Sequence, residues 1–240
     1  MKYLILILFP LSVFGQKITG ISIEAPPKEF KLENLESIKE VNAKWVAIIP
    51  FGFLKKDSTQ IRYNCEHQWW GETREGVIKS ISLAKQAGFK IMLKPQLWIA
   101  DQFVGHIDFT ESPKKWVELE KNYTKFIEDF SKIADSLDVD LLSVGCEFKT
   151  WVIKRPSYWK STIKNVRKLY HGKLTYSANW DNYSNVKFWH LLDYMGVDSY
   201  FPLSESKTPK VEELKTSWKE IKEELNRAYT KHGKKILFTE

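Results

Sequence analysis

The stretch Val139-Asp-Leu-Leu-Ser-Val-Gly-Cys-Glu-Phe-Lys-Thr-Trp151 is an apolar run that stops at a carboxylate, Glu147, and then meets a tryptophan. A near-continuous apolar run of this length reads as a strand buried on both faces, the habit of parallel sheets flanked by helices. The last residues repeat the pattern: Lys235-Ile-Leu-Phe-Thr-Glu240 is again an apolar strand with Glu at its end. Burying a charge at the end of such a strand is costly without a purpose, so the two acids together mark a site.

Outward from these strands, extended and helical patterns alternate. Strands are predicted over 17–25, 45–53, 89–99, 139–148, 173–180, 194–201 and 235–240, seven in all. Helical stripes lie between them: Leu32, Leu35, Ile38 and Val41; Val77, Ile78, Ile81 and Ala84; Trp116 through Leu137; Trp159, Ile163, Val166 and Leu169; a short segment over 186–192; and Val211 through Ala228. Ser112-Pro113 and Thr208-Pro209 each read as a cap followed by proline at the first helical position. Gly88, Gly172 and Gly233 each end a helix immediately before a strand, where a left-handed glycine lets the chain turn straight back into the sheet.

The helix-to-strand turns are therefore tight, while the strand-to-helix segments 54–73, 100–111 and 202–207 are long. That asymmetry predicts an α/β fold of the (β/α)8 TIM-barrel type, with its working loops on the carboxyl face of the strands. An open doubly wound sheet with a nucleotide site is disfavoured, because the turn after the first strand, Glu24-Ala-Pro-Pro-Lys28, has no glycine. Seven strands leave the barrel one β/α unit short, so a chain truncated before the eighth strand is expected.

Composition narrows the class. The chain has 240 residues, 43% of them hydrophobic, which suits a single domain with a substantial core. Residues 1–15 carry one early charge, Lys2, and an apolar run ending in Val13 and Gly15, the form of a short secretory signal. Export to the periplasm or medium is expected, with residues 16–240 as the mature catalytic domain. The run is too short to span a bilayer comfortably, since about 20 residues are needed. The net charge of +7 is carried by 37 basic residues, of which only Arg62, Arg74, Arg155, Arg167 and Arg227 are arginine. Lysine interleaved with Glu along helices is a solvated surface and not a nucleic-acid face.

Cys65 and Cys146 are too few for a disulfide scaffold; they are free to pair in an exported protein, although a small buried thiol explains Cys146 more simply. His67, His106, His171, His190 and His232 show no metal-ligand spacing, and no Gly-x-Ser-x-Gly elbow occurs. Neither metal nor cofactor is expected.

Residues at the carboxyl ends of barrel strands point into the mouth, so Glu147 and Glu240 are the candidate catalytic pair, on opposite sides of it. Two carboxyls facing one glycosidic bond are what glycoside hydrolysis uses. Ten tryptophans are many for this length. Those on helices, Trp116, Trp159, Trp189 and Trp218, read as core, whereas Trp69, Trp70, Trp98, Trp151 and Trp180 fall at or beyond strand ends. There they suit a sugar, whose C–H faces stack on aromatic rings. Polar residues at the same level are Lys94, Gln96, Asn179, Asp181, Asp198 and Tyr200. The candidate substrate-binding set is thus Trp70, Lys94, Gln96, Trp98, Trp151, Asn179, Trp180, Asp198 and Tyr200.

The motifs Lys17-Ile-Thr-Gly-Ile-Ser22, Met92-Leu-Lys-Pro-Gln96, Ser143-Val-Gly-Cys-Glu-Phe148, Ser177-Ala-Asn-Trp-Asp181, Met195-Gly-Val-Asp-Ser-Tyr-Phe-Pro-Leu203 and Ile236-Leu-Phe-Thr-Glu240 together resemble glycoside hydrolase family 113. The resemblance spans nearly all of the expected mature chain. It implies a clan A barrel with retaining endo-β-1,4-mannanase activity, Glu147 as acid/base and Glu240 as nucleophile. Where much of that clan has Asn before the acid/base, this chain has Cys146. The implied substrate is a polysaccharide or oligosaccharide and the implied state a monomer, with no nucleic acid and no membrane beyond the signal. Hydrolysis of a glucan or xylan, and a non-catalytic carbohydrate-binding barrel, are the alternatives.

Overall fold

The structure, a computed structural model, describes residues 17–240. The expected signal over 1–15 lies outside the described residues. The chain begins with β1 (Gly20–Glu24), α1 (Glu36–Glu40), β2 (Trp45–Ile49), β3 (Phe51–Leu54) and β4 (Ile61–Arg62). It continues through α2 (Arg74–Gln86), β5 (Lys90–Leu93), β6 (Gln96–Ile99), α3 (Pro113–Ser136) and β7 (Leu141–Cys146). It closes with α4 (Lys149–Lys154), α5 (Pro156–Leu169), β8 (Lys173–Asn179), β9 (Met195–Asp198), α6 (Val211–His232) and β10 (Ile236–Phe238).

Seven strands form one sheet in the order β1-β2-β5-β7-β8-β9-β10. Every neighbouring pair is parallel. Sequence order equals spatial order, the mark of a singly wound barrel, so the expected fold is found: an incomplete (β/α)8 barrel curled around its strands. Between β1 and β10 a cavity of about 670 Å³ opens, lined in part by Ile21, Trp45, Met92, Leu141, Leu237 and Glu240.

The second and third predicted strands are each broken by a proline. Pro50 separates β2 from β3, and Pro95 separates β5 from β6. Proline lacks the N–H that a central ladder needs. Beyond the breaks, β3 and β6 pair with each other in parallel and β4 adds antiparallel to β3, giving a second, three-stranded sheet. Because these strands leave the carboxyl ends of β2 and β5, the small sheet stands on the working rim and carries Gln96 and Trp98 there. The segment 54–73 is accordingly less irregular than its sequence predicts, holding β4 and a 3-10 turn at Trp70–Glu72.

Helix ends depart from expectation in instructive ways. Gly88 (φ 88°) and Gly233 (φ 62°) are left-handed as predicted. Gly172 is not: α5 ends at Leu169 and Tyr170 is already extended. A Cβ on Gly172 would stand 2.1 Å from the Tyr170 hydroxyl oxygen, so close approach and not chirality demands glycine there. Ser112 precedes Pro113 at the start of α3, but its side chain makes no capping bond. Pro209 lies outside α6, whose N-cap is Lys210. The segment 186–192 forms a 3-10 turn at Trp189–Leu191, after another at Tyr183–Asn185.

The core lies between sheet and helices. From α3, Trp116, Leu119, Tyr123, Phe126, Ile127, Phe130 and Ile133 are buried, the three-and-four spacing of one helix face. Around Tyr123 gather Phe148, Trp151 and Trp159, with ring centroids 5.2 to 5.6 Å away. This aromatic block sits directly under the end of β7 and forms the floor on which Glu147 rests.

Candidate active site

Glu147 follows β7 in a left-handed conformation, φ 56°. For a residue with a Cβ this costs roughly 1–3 kcal/mol and persists only when the surroundings fix it. They do so here: the Glu147 N–H donates to the Ser177 carbonyl at 2.8 Å, and the Phe148 N–H to the Tyr176 hydroxyl at 2.8 Å. The Glu147 carbonyl accepts from Lys149 N–H at 2.8 Å, which starts α4. Phe148 and Trp151 then plunge into the core. The register between β7 and β8 shifts between Ser143 and Cys146, so the last residues of β7 are re-aimed just before the acid.

The Glu147 side chain is half-buried, and its pKa rises to about 7. Burial is the main cause, with the negative charges of Asp198 and Glu240 adding to it and Lys94 opposing it. The charge of Glu240, at the end of the last strand, is among those that act on Glu147.

Glu240 is held from both ends. Its main-chain oxygen accepts from Ser199 N–H at 2.9 Å and from the Ser199 hydroxyl at 2.8 Å. Its Oε1 lies 3.3 Å from Lys94 Nζ and 3.3 Å from Gln96 Nε2. Tyr200 stands near it: burial first and then the charge of Glu240 raise the tyrosine's pKa. The side chain of Glu240 remains 23% exposed.

Beneath lies a buried polar cluster. Lys94 Nζ reaches Asp198 Oδ1 at 2.9 Å and the Thr239 carbonyl at 3.2 Å. Asp198 Oδ1 also accepts from the Thr239 hydroxyl at 2.7 Å, and Oδ2 from Cys146 Sγ at 3.3 Å. Burial pushes the Lys94 pKa down, while the carboxylates of Asp198 and Glu240 push it up, and the net shift is upward, so the ammonium is retained. Burial also lifts the Cys146 thiol well above its usual range, keeping it a neutral donor. Cys146, Glu147 and Asp198 could together offer ligands to a cation, but the Lys94 ammonium already occupies Asp198 Oδ1. Both cysteines are free, Cys65 exposed and Cys146 buried.

Of the expected sugar contacts, Gln96 lies beside Glu240, as does Tyr200. Trp98 is 56% exposed, with Phe51 against its ring edge at 6.3 Å. Trp180 is half-buried, 6.1 Å from Phe201. Asn179 ends β8 with its Oδ1 buried and without a hydrogen-bond partner among the described residues. Trp70 is half-buried in the turn before α2.

Three expectations need correction. Trp151 does not line the mouth: it lies on α4, fully buried among Trp116, Tyr123, Phe148 and Trp159. Lys94 and Asp198 are likewise fully buried, and they support Glu240 from below instead of reaching a ligand. Trp218, expected in the core, is 39% exposed, against Phe201 and Phe238. Sequence reading missed Ser199 and Thr239, which fix Glu240 and Asp198; both are small polar residues inside otherwise apolar strand ends, a signal that could have exposed them. It also missed the ion pair between Lys149 and Asp181, which ties the start of α4 to the loop after β8.

Residues 28–240 match the sequence profile of Glycoside Hydrolase Family 113. No curated protein matches the chain. Among solved structures, a GH113 β-mannanase from Alicyclobacillus acidocaldarius is similar at 20% identity and TM-score 0.79, over 95% of this chain and 72% of that one. A complex of a GH113 β-1,4-mannanase is similar at 23% identity and TM-score 0.75, over 92% and 71%. A β-glucuronidase from Ruminococcus gnavus shares 15% identity with TM-score 0.64, over 92% and 35%. At these identities the likeness shows a shared barrel.

Proposed function

Since the chain belongs to glycoside hydrolase family 113, we propose that it cleaves β-1,4-linked mannan by double displacement, with Glu147 as acid/base and Glu240 as nucleophile. The observation that carries this reading is the unlike setting of two neighbouring carboxyls. Burial and negative neighbours raise Glu147 toward a pKa of about 7, so it holds a proton. Glu240 instead receives the Lys94 ammonium and the Gln96 amide on one oxygen. Environments that differ in this way assign acid and nucleophile roles to two like side chains.

In the first step a Glu240 oxygen bonds to the anomeric carbon as the bond to the leaving oxygen breaks. The Glu147 proton passes to that oxygen. In the second step Glu147, now a carboxylate, takes a proton from water; the water oxygen bonds to the anomeric carbon and the Glu240 carboxylate departs. The product keeps the β configuration. Trp98, Trp180 and Tyr200 offer ring faces and Gln96 and Asn179 polar groups at the rim. Two similar family members, a β-1,4-mannanase and a β-mannanase, support mannan over other β-glycans.

Release of manno-oligosaccharides from mannan is expected for the native chain and is expected to fall at least about 1000-fold in Glu147→Gln and in Glu240→Gln. Full activity in both variants contradicts the reading, and retained mannan binding without hydrolysis in the native chain points to the carbohydrate-binding alternative. We further propose export by way of residues 1–15, which sequencing the amino terminus of the mature protein tests.

A further inference from the structure

Lys94 is fully buried, and every polar contact of its ammonium lies at the foot of Glu240. Its ammonium has three hydrogens and three acceptors, Asp198 Oδ1 at 2.9 Å, the Thr239 carbonyl at 3.2 Å and Glu240 Oε1 at 3.3 Å. Asp198 is itself anchored by Thr239 and Cys146, so Lys94 cannot follow Glu240 outward. Gln96 Nε2 meets the same Oε1 at 3.3 Å. Two donors converge on one oxygen of the carboxylate, and neither reaches Oε2.

We propose that Lys94 is a positioning residue for both halves of the reaction: it fixes Glu240 Oε1 so that Oε2 takes the sugar, and it restores Glu240 as a leaving group. This rests on the nucleophile role of Glu240 proposed above. In the glycosyl-enzyme the anomeric carbon is bonded to Oε2, and Oε1 is the ester carbonyl oxygen under Lys94. When water attacks, the bond from carbon to Oε2 breaks and its electron pair returns to the carboxylate. That negative charge develops beside a fixed ammonium in a buried setting, where such stabilisation is strongest. An ammonium favours the free carboxylate over the neutral ester, so its loss slows the second step more than the first.

The test is pre-steady-state release of dinitrophenol from 2,4-dinitrophenyl β-mannobioside by the full chain. Lys94→Gln removes the charge but still offers N–H donors and much of the volume; Lys94→Met removes donors and charge. For either folded variant the expected result is a burst of one equivalent of dinitrophenol per chain, with kcat lowered on the order of 100-fold. KM falls along with kcat as the intermediate accumulates, and added azide speeds turnover by capturing the intermediate. A merely structural lysine slows the burst phase and the steady-state phase alike. If both Lys94 variants fail to fold, Gln96→Leu alters a half-buried side chain with the same Oε1 contact and is expected to give a smaller burst. Native turnover with no burst in any folded variant overturns the role of Lys94 alone. A native chain that leaves the glycoside and mannan intact overturns the functional reading as well.

Discussion

Glu147 combines a strained backbone with a carboxyl that resists ionisation, and both follow from where β7 ends. The chain must leave the barrel wall and bury Phe148 and Trp151 within four residues, which forces the left-handed turn at Glu147. The same burial disfavours its charge. Under the proposed mechanism the protonated form donates, so kcat/KM is expected to decline above pH about 7 with a slope of one proton. An unchanged profile to pH 9 would contradict it. Linkage gives a second expectation. Between the ordinary 4.5 and about 7 the folded state holds a proton that the unfolded chain has lost, so stability falls as pH rises through that window. Glu147→Gln removes the penalty and is expected to stabilise at pH 8 by roughly 1–2 kcal/mol, after allowance for partial exposure, and hardly at pH 4. Equal thermal shifts at both pH values would show that charge burial is not the cause.

The breaks at Pro50 and Pro95 and the short α4 decide what reaches the rim. Trp98 rises on β6 and stands exposed; Trp151 turns inward on α4 and is sealed in the aromatic block. Trp98→Ala is expected to raise KM for manno-oligosaccharides several-fold with little change in Tm. Trp151→Ala is expected to cost about 3–5 kcal/mol of stability through the cavity it leaves, with KM for the folded fraction unchanged. Chemical melts and steady-state kinetics on the pair separate the two roles, and the reverse pattern would return Trp151 to the mouth. Sequence made the strand and helix alternation legible because each stripe in α2, α3 and α5 runs long enough to show its period. Six residues of α4 do not, and an acid in a left-handed turn leaves no pattern at all. Glu147 and Glu240 were legible because a charge at the end of an apolar strand is conspicuous. The inward direction of Lys94 was not, since a residue name beside a proline break says nothing of which way its side chain points.

At the scale of the whole molecule, seven parallel strands in sequence order bring the ends of β7 and β10 to one mouth. A neutral polysaccharide is consistent with the uncharged side chains of Gln96, Trp98, Asn179 and Trp180 at the strand ends. On soluble β-mannan, β-glucan and xylan compared at equal concentration, reducing ends are expected chiefly from mannan, by at least about tenfold. Equal rates on all three would shift the reading to a general β-glycanase.

The central claim is that Glu147 and Glu240 form an acid/nucleophile pair, and the direct measurement is mass spectrometry of the chain after exposure to a 2-deoxy-2-fluoro-β-mannosyl fluoride. The account predicts one added fluoro-mannosyl group, on the peptide carrying Glu240. A label on Glu147 or elsewhere, or no label on a chain that hydrolyses mannan, would contradict it.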